Sequence, residues 1–199
     1  MSCKNDDPQG SGCPLSCPLS CPRVLSRVIK AHLTRADEKL EGRGYLPPLL
    51  FIRVKNFVYV IGLDFTDRTA TQTSLETIRD CCVAFMPETV SLLREGWVSS
   101  AADASDLCEV VAMQLEAPSF DAQIVSRINR DENGAYAGLD TPQRCDDDFS
   151  DEAGVTGFYP SMLPSPQERD AARDRLRRVL EADLWADICA TADQPAQAA

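Results

Sequence analysis

The stretch LLFIRVKNFVYVIGL constrains the fold of this chain more than any other part of its sequence. Two apolar runs, rich in β-branched and aromatic residues, flank the polar pair Lys55-Asn56. Such runs are typical of strands, and two polar residues between them indicate a tight turn. Because a tight turn joins strands that run in opposite directions, the stretch predicts a β-hairpin and an antiparallel sheet.

Three other segments have the spacing of amphipathic helices. The first starts at Pro22, which suits a first helical turn, and its apolar residues recur every three or four positions as far as Gly42. The second starts with the capping-box pattern TSLE and ends before a proline. The third starts with SPQE, which combines a cap, a proline and a capping-box acid.

Further strand patterns occupy the centre of the chain: TVSLLREGWVSS, LCEVVAMQLEA, FDAQIVSRINR and, after the turn signal DENG, a short AYAGL. The predicted order is α-β-β-α-β-β-β(-β)-α. This order indicates an α+β fold, with a mostly antiparallel sheet of five to six strands and about three helices largely on one face. Strands and helices do not alternate regularly, which argues against a doubly wound parallel sheet.

The length of 199 residues is enough for one domain with a core. We expect a disordered, Cys- and Pro-rich tail at 1–21, a single domain over 22–188 with an acidic loop at 140–164, and a loose C-terminal tail at 189–199. The start of the chain lacks an apolar signal region, and no apolar run has the length of a membrane span. These features predict a cytoplasmic protein without a membrane partner.

A net charge of −11 favours solubility and argues against nucleic-acid binding through a basic surface, because phosphate contacts need clustered Lys and Arg. The stretch CDDDFSDE is the densest group of acids, and a solvated loop is its simplest interpretation. The sequence therefore leaves a protein partner or self-association as the expected interaction.

A repeat of cysteine and proline, CPLSCPLSC, is the first candidate metal site. Cys13, Cys17 and Cys21 are four residues apart, and Cys3 lies upstream. Four thiolates could hold zinc or an iron–sulfur cluster. The spacing lacks the two separated pairs that are usual in zinc sites, and a tandem duplication without a metal explains the same repeat.

The stretch NRDENGAYAGLD is the second candidate, because it aligns with the calcium loop of an EF-hand. Asn129, Asp131 and Asn133 take the first, third and fifth positions, Gly134 the sharp-turn position and Asp140 the last. The first ligand is Asn instead of Asp, and the last is Asp instead of the bidentate Glu. The flanking segments have strand patterns, so a β-hairpin without a metal explains the same residues.

Catalytic motifs are not evident in the sequence. His32 is the only histidine, so any Ser–His or Cys–His mechanism would depend on it, yet it lies beside the apolar stripe of the first predicted helix. Glu95 and Glu109 on predicted strands could form an acid/base pair, but like charges placed opposite each other are unfavourable. Whether the chain is an enzyme stays open, with the balance against it.

The segments REGWVSS, LCEVVAMQLEA and RINRDENGAY resemble a group of small uncharacterised bacterial and phage-borne proteins. In that group a Glu-x-Trp strand precedes an acid-bearing apolar strand and a further strand. The resemblance covers residues 23–140, and Gly96 stands between Glu95 and Trp97 where alanine would be expected. It implies a bacterial or prophage origin and no particular activity.

These observations predict a non-enzymatic protein-binding or accessory protein. An exposed apolar patch near Trp97, Tyr159 or Trp185 would serve such a role. One alternative is a metal-binding regulator or small metalloenzyme that uses the N-terminal cysteines or the acids of 129–152. Another is an acidic mimic that blocks a nucleic-acid-binding surface.

Overall fold

The computed structural model of this chain describes residues 22–100, 103–145 and 157–194. Within these ranges, seven strands form one sheet and every strand pairing is antiparallel. Four helices pack against this sheet. The α+β class and the antiparallel sheet predicted from the sequence are confirmed, with one strand and one helix more than expected.

The strands lie in the order β2-β1-β3-β4-β5-β6, and β7 pairs with β5 beyond the end of β6. In chain order the elements are α1 (Pro22–Arg43), β1 (Leu49–Val54), β2 (Phe57–Gly62), α2 (Arg68–Phe85), β3 (Thr89–Ser100), β4 (Asp103–Ala117), β5 (Phe120–Arg130), β6 (Tyr136–Leu139), β7 (Gln143–Cys145), α3 (Pro166–Val179) and α4 (Ala182–Asp193).

The sheet separates two cores, because successive side chains of a strand point to opposite faces. Among the described helices, α1 alone covers one face, here called the α1 face, whose core includes Leu40, Phe51 and Met113. The opposite face is covered by α2, α3 and α4, and its core includes Ile52 and Leu176. Of the four described helices, three therefore share one face and one lies on the other.

Helix α2 begins earlier than the capping-box pattern indicated. It starts at Arg68 instead of Thr73, because the side chain of Asp67 caps it by accepting a hydrogen bond from the backbone N–H of Ala70 at 2.9 Å. The capping box at the start of α3 is confirmed: the hydroxyl of Ser165 accepts from the backbone of Glu168, whose carboxylate accepts from the backbone N–H of Ser165.

The C-terminal part of the chain differs from the expected boundaries. The third predicted helix is divided into α3 and α4, because the backbone of Leu180 is extended. Helix α4 continues past residue 188 to Asp193, and Ile188 and Thr191 on it are buried. The expected acidic loop at 140–164 contains β7 and a buried Phe158.

The predicted turn at Lys55-Asn56 joins β1 and β2, and its lysine also holds α4 in place. The ammonium of Lys55 donates hydrogen bonds to the carbonyl oxygens of Thr191, Ala192 and Gln194 at 2.7, 2.9 and 2.5 Å. These carbonyls belong to the last turn of α4, where the helix has no backbone donors for them and where a positive charge is favourable.

We expect Lys55→Met to lower the free energy of unfolding by about 1–2 kcal/mol and to speed amide exchange in α4, since its terminal carbonyls lose their donors. Urea denaturation and hydrogen exchange measure the two effects. Lys39→Met removes the same charge from α1 and serves as the control. Equal effects of the two substitutions would contradict the role of Lys55.

Candidate functional site

Strand β2 forms an edge of the sheet, and β1 is its only partner among the described strands. Its sequence, FVYVIG, contains neither a charged residue nor a proline. Phe57 and Val58 are 55% and 56% exposed. Edge strands of natural proteins usually carry lysine, proline or a bulge that prevents pairing with another chain. Strand β2 has none of these, and its outward backbone groups have no strand partner among the described residues.

The other edge of the sheet has a different character. It is made of two short strands, the four-residue β6 and the three-residue β7, which pair with different parts of β5. The register of β5 and β6 shifts between Asn129 and Arg130. Short, irregular edges resist strand addition. Of the strands at the two ends of the strand order, β2 is the longer and the more regular.

A groove on the α1 face lies beside this open edge, with a volume of about 660 Å³. We call it the α1–β2 groove. It lies between α1 on one side and β1, β2 and the start of β3 on the other. Apolar side chains dominate its surface. Its lining residues are Val24, Arg27, Val28, Ala31, His32, Arg35, Phe51, Arg53, Val58, Val60, Thr89 and Ser91.

Three arginines lie around the α1–β2 groove. Arg53 is paired with Glu88 at 3.2 Å. Arg27 and Arg35 are exposed, and their guanidinium groups form neither a hydrogen bond nor an ion pair with another residue in the described ranges. Residues 22–35 of α1 contain four basic residues and no acidic one. A positively charged surface therefore borders this groove in a chain whose net charge is −11.

His32 lies in the wall of the groove, where its ring packs against that of Phe51 with 4.2 Å between centroids. Only 8% of the residue is exposed. Burial lowers the pKa of His32 from 6.5 to about 4, because the imidazolium would lose its hydration. The ring is neutral at physiological pH, so the arginines provide the positive charge of the site.

The predicted metal ligands of the N-terminal repeat, Cys3, Cys13, Cys17 and Cys21, lie outside the described residues. Most of the acidic stretch CDDDFSDE also lies outside them. Within the described ranges, no group of three or more His, Cys, Asp or Glu side chains is placed to hold a metal ion. Zinc or iron–sulfur binding at the repeat stays a prediction.

The EF-hand-like residues form the hairpin between β5 and β6. The amide of Asn129 donates to the carboxylate of Asp140 at 2.7 Å. The carboxylate of Asp131 accepts hydrogen bonds from the backbone N–H groups of Asn133 and Ala135 at 2.8 and 2.9 Å. Backbone donors thus occupy the Asp131 oxygen that a cation would need. Calcium binding here stays a prediction. The residues lie in a β-hairpin, which is the structure that the sequence analysis gave as the alternative to a calcium loop.

The two strand acids do not form a pair. Glu109 receives two hydrogen bonds of 2.6 Å from Arg130, whose guanidinium lowers the pKa of this carboxyl. Glu95 accepts a hydrogen bond from the backbone N–H of Leu46 at 2.6 Å. Each carboxylate is therefore hydrogen-bonded to another part of the chain, Glu109 to Arg130 on β5 and Glu95 to the segment before β1.

Of the three aromatic residues expected in an exposed patch, only one is largely exposed. Trp97 is 65% exposed, and Leu107 is exposed on the same face of the neighbouring strand β4. Tyr159 and Trp185 instead pack against the core beneath α2, α3 and α4. Trp97 and Leu107 form a second apolar surface, outside the α1–β2 groove.

No protein-family model matches the chain, and no curated protein or solved structure matches it. The resemblance to small bacterial and phage-borne proteins therefore rests on the sequence patterns alone. Among the described helices, none has both the length and the apolarity required to cross a lipid bilayer.

Proposed function

We propose that this protein is a non-enzymatic binding or accessory protein that docks an extended segment of a protein partner along β2. The observation that carries the proposal is the open edge of β2, free of charge and proline, beside an apolar groove. In strand addition, main-chain hydrogen bonds supply affinity, and pockets for alternate side chains supply specificity. The edge of β2 offers the main-chain groups, and the adjacent groove offers a pocket for side chains.

The backbone groups available for pairing follow from the hairpin. A two-residue turn closes on Val54 and Phe57, and such closing residues exchange hydrogen bonds with each other. Since these bonds alternate along an antiparallel pair, the N–H and C=O groups of Val58 and Val60 point away from β1. The side chains of the same two valines line the groove.

The burial of two neighbouring cysteines and of the only histidine also supports a binding role. Cys81 and Cys82 are fully buried, and burial raises the pKa of both thiols. His32, the only histidine, is packed against Phe51 and neutral. Neither cysteine is accessible to a substrate in this arrangement.

Strand addition is tested with peptides selected from a random display library against the full chain. We expect bound peptides to slow amide exchange at Val58 and Val60. Val58→Pro removes one outward N–H and should weaken binding at least about tenfold, because a proline cannot donate to an added strand.

Val58→Thr is the matched control, because it keeps the branched side chain and the N–H group. Thermal unfolding of both variants verifies that the fold is retained. Selected peptides that leave β2 exchange unchanged, or that bind Val58→Pro as tightly as Val58→Thr, would refute docking at this edge.

A further inference from the structure

We infer that the segment docked along β2 is acidic, with carboxylate side chains that contact Arg27 and Arg35 and apolar side chains that enter the α1–β2 groove. This inference rests on the proposed function, since it concerns the chemistry of the docked partner. It is based on two arginines that lie next to an apolar groove and an open strand edge. The guanidinium groups of both have no partner in the described ranges.

The geometry determines where the side chains of an added strand would go. Val58 and Val60 point to the α1 face, since Val60 pairs with Phe51 and packs with it in the core on that face. A strand beside β2 would therefore place every second side chain on the α1 face, along the groove. There the apolar walls favour burial of aliphatic groups, and the exposed guanidinium groups favour carboxylates.

Charge complementarity favours an acidic segment over other polypeptides. Arginine presents several N–H donors in a fixed plane that matches a carboxylate. The charged residues of α1 between positions 22 and 35 are all basic, and the helix dipole adds positive potential at its N-terminal end. Because the chain as a whole carries a charge of −11, an acidic segment would be repelled from most of the surface and attracted to this groove.

A second copy of the chain fits the groove less well. Antiparallel pairing of β2 with its own copy places the α1 faces of both chains on the same side of a continuous sheet. The two grooves would then merge, and Arg27 and Arg35 of both copies would border one cavity. Strand β2 itself contains no acid that could neutralise them. Like charges at an interface disfavour the wrong partner.

Two synthetic peptides of equal length test the inference on the full chain. Both have threonine at alternate positions, so that one strand face is neutral. The other face presents valine and glutamate in turn in the first peptide, and valine and lysine in the second. We expect the glutamate peptide to bind about tenfold more tightly at low salt, and this advantage to shrink as salt is added.

Two double variants test whether the preference for the glutamate peptide depends on Arg27 and Arg35. Arg27→Gln combined with Arg35→Gln should abolish the difference between the two peptides. Arg169→Gln combined with Arg178→Gln removes the same charge from exposed positions of α3, on the opposite face, and should retain the difference. Val58→Pro should weaken the binding of both peptides, because it acts on the shared backbone contact.

The outcomes separate the two proposals. Equal binding of both peptides, with slowed exchange at Val58 and Val60, would overturn the acidic preference and leave strand addition standing. If neither peptide slowed exchange at these two residues, docking along β2 would itself be overturned. A dimer in sedimentation, with β2 protected in the absence of peptide, would identify a second copy as the occupant and refute the acidic partner.

Discussion

Acidification from neutral pH to pH 5 is expected to lower the free energy of unfolding by about 2 kcal/mol through His32 alone. The pKa of this residue is about 4 in the folded chain, against 6.5 without burial. Between these values the unfolded chain binds a proton that the folded chain does not, so stability falls as the pH falls. The physical cause is the loss of hydration that an imidazolium would suffer beside Phe51.

His32→Phe isolates this contribution, because it keeps an aromatic ring against Phe51 and cannot titrate. Urea denaturation of both proteins between pH 8 and pH 5 should give a difference in stability that changes by about 2 kcal/mol in favour of the variant. The measurements end at pH 5 because the isoelectric point is about 4.5. Near that pH the chain loses its net charge, and this loss promotes association. Parallel pH curves for the two proteins would show that His32 is not buried as described.

The second large effect is expected at Glu116, a buried carboxylate on β4. It accepts hydrogen bonds from the backbone N–H of Phe158 at 2.7 Å and from the side chain of Gln114 at 2.6 Å. Phe158 belongs to the core on the face opposite α1. Glu116→Ala leaves the buried N–H of Phe158 without its acceptor and removes the partner of the half-buried Gln114, and we expect a loss of about 3 kcal/mol in urea denaturation.

Glu116→Gln should cost about half as much, because its amide oxygen still accepts one hydrogen bond. Glu132→Ala removes an exposed carboxylate from the turn between β5 and β6, and should change stability by less than about 0.5 kcal/mol. A loss for Glu116→Ala as small as that of this control would contradict the role of the carboxylate.

The pH dependence of Glu116 has the opposite sign to that of His32. Burial is the largest cause that raises the pKa of Glu116 above 4.5, and its hydrogen bonds only partly offset this. Its contribution is therefore fully present below pH 4.5 and falls as the pH rises through the folded pKa. The deficit of Glu116→Gln relative to the natural chain should accordingly be larger at pH 5 than at pH 8.

Several local features could be predicted from the sequence because each depends on residues that are close together in the chain. The turn at Lys55-Asn56, the apolar spacing of α1 and the cap at Ser165 all correspond to elements of the structure. The capping-box pattern predicts that α2 starts at Thr73, whereas the helix starts five residues earlier, at Arg68. The difference arises because Asp67 also caps a helix and precedes that pattern in the chain.

The candidate site was not predicted, although parts of it are visible in the sequence. The lack of charge in FVYVIG and the basic first half of α1 can both be read there. Their significance depends on β2 being an edge strand and on α1 lying beside it on the same face. Strand order depends on contacts between distant parts of the chain, so it cannot be predicted from any short segment of the sequence.

By itself, the sequence determined the class of the fold, its antiparallel hairpins and most of its helices, because periodicity and turn chemistry act over a few residues. Only the tertiary structure decided which partners the polar groups take. Lys55 binds the end of α4, Glu109 pairs with Arg130, and Glu116 holds the backbone of Phe158. These contacts join residues 21 to 136 positions apart, and the packing of the two cores against the sheet brings them together.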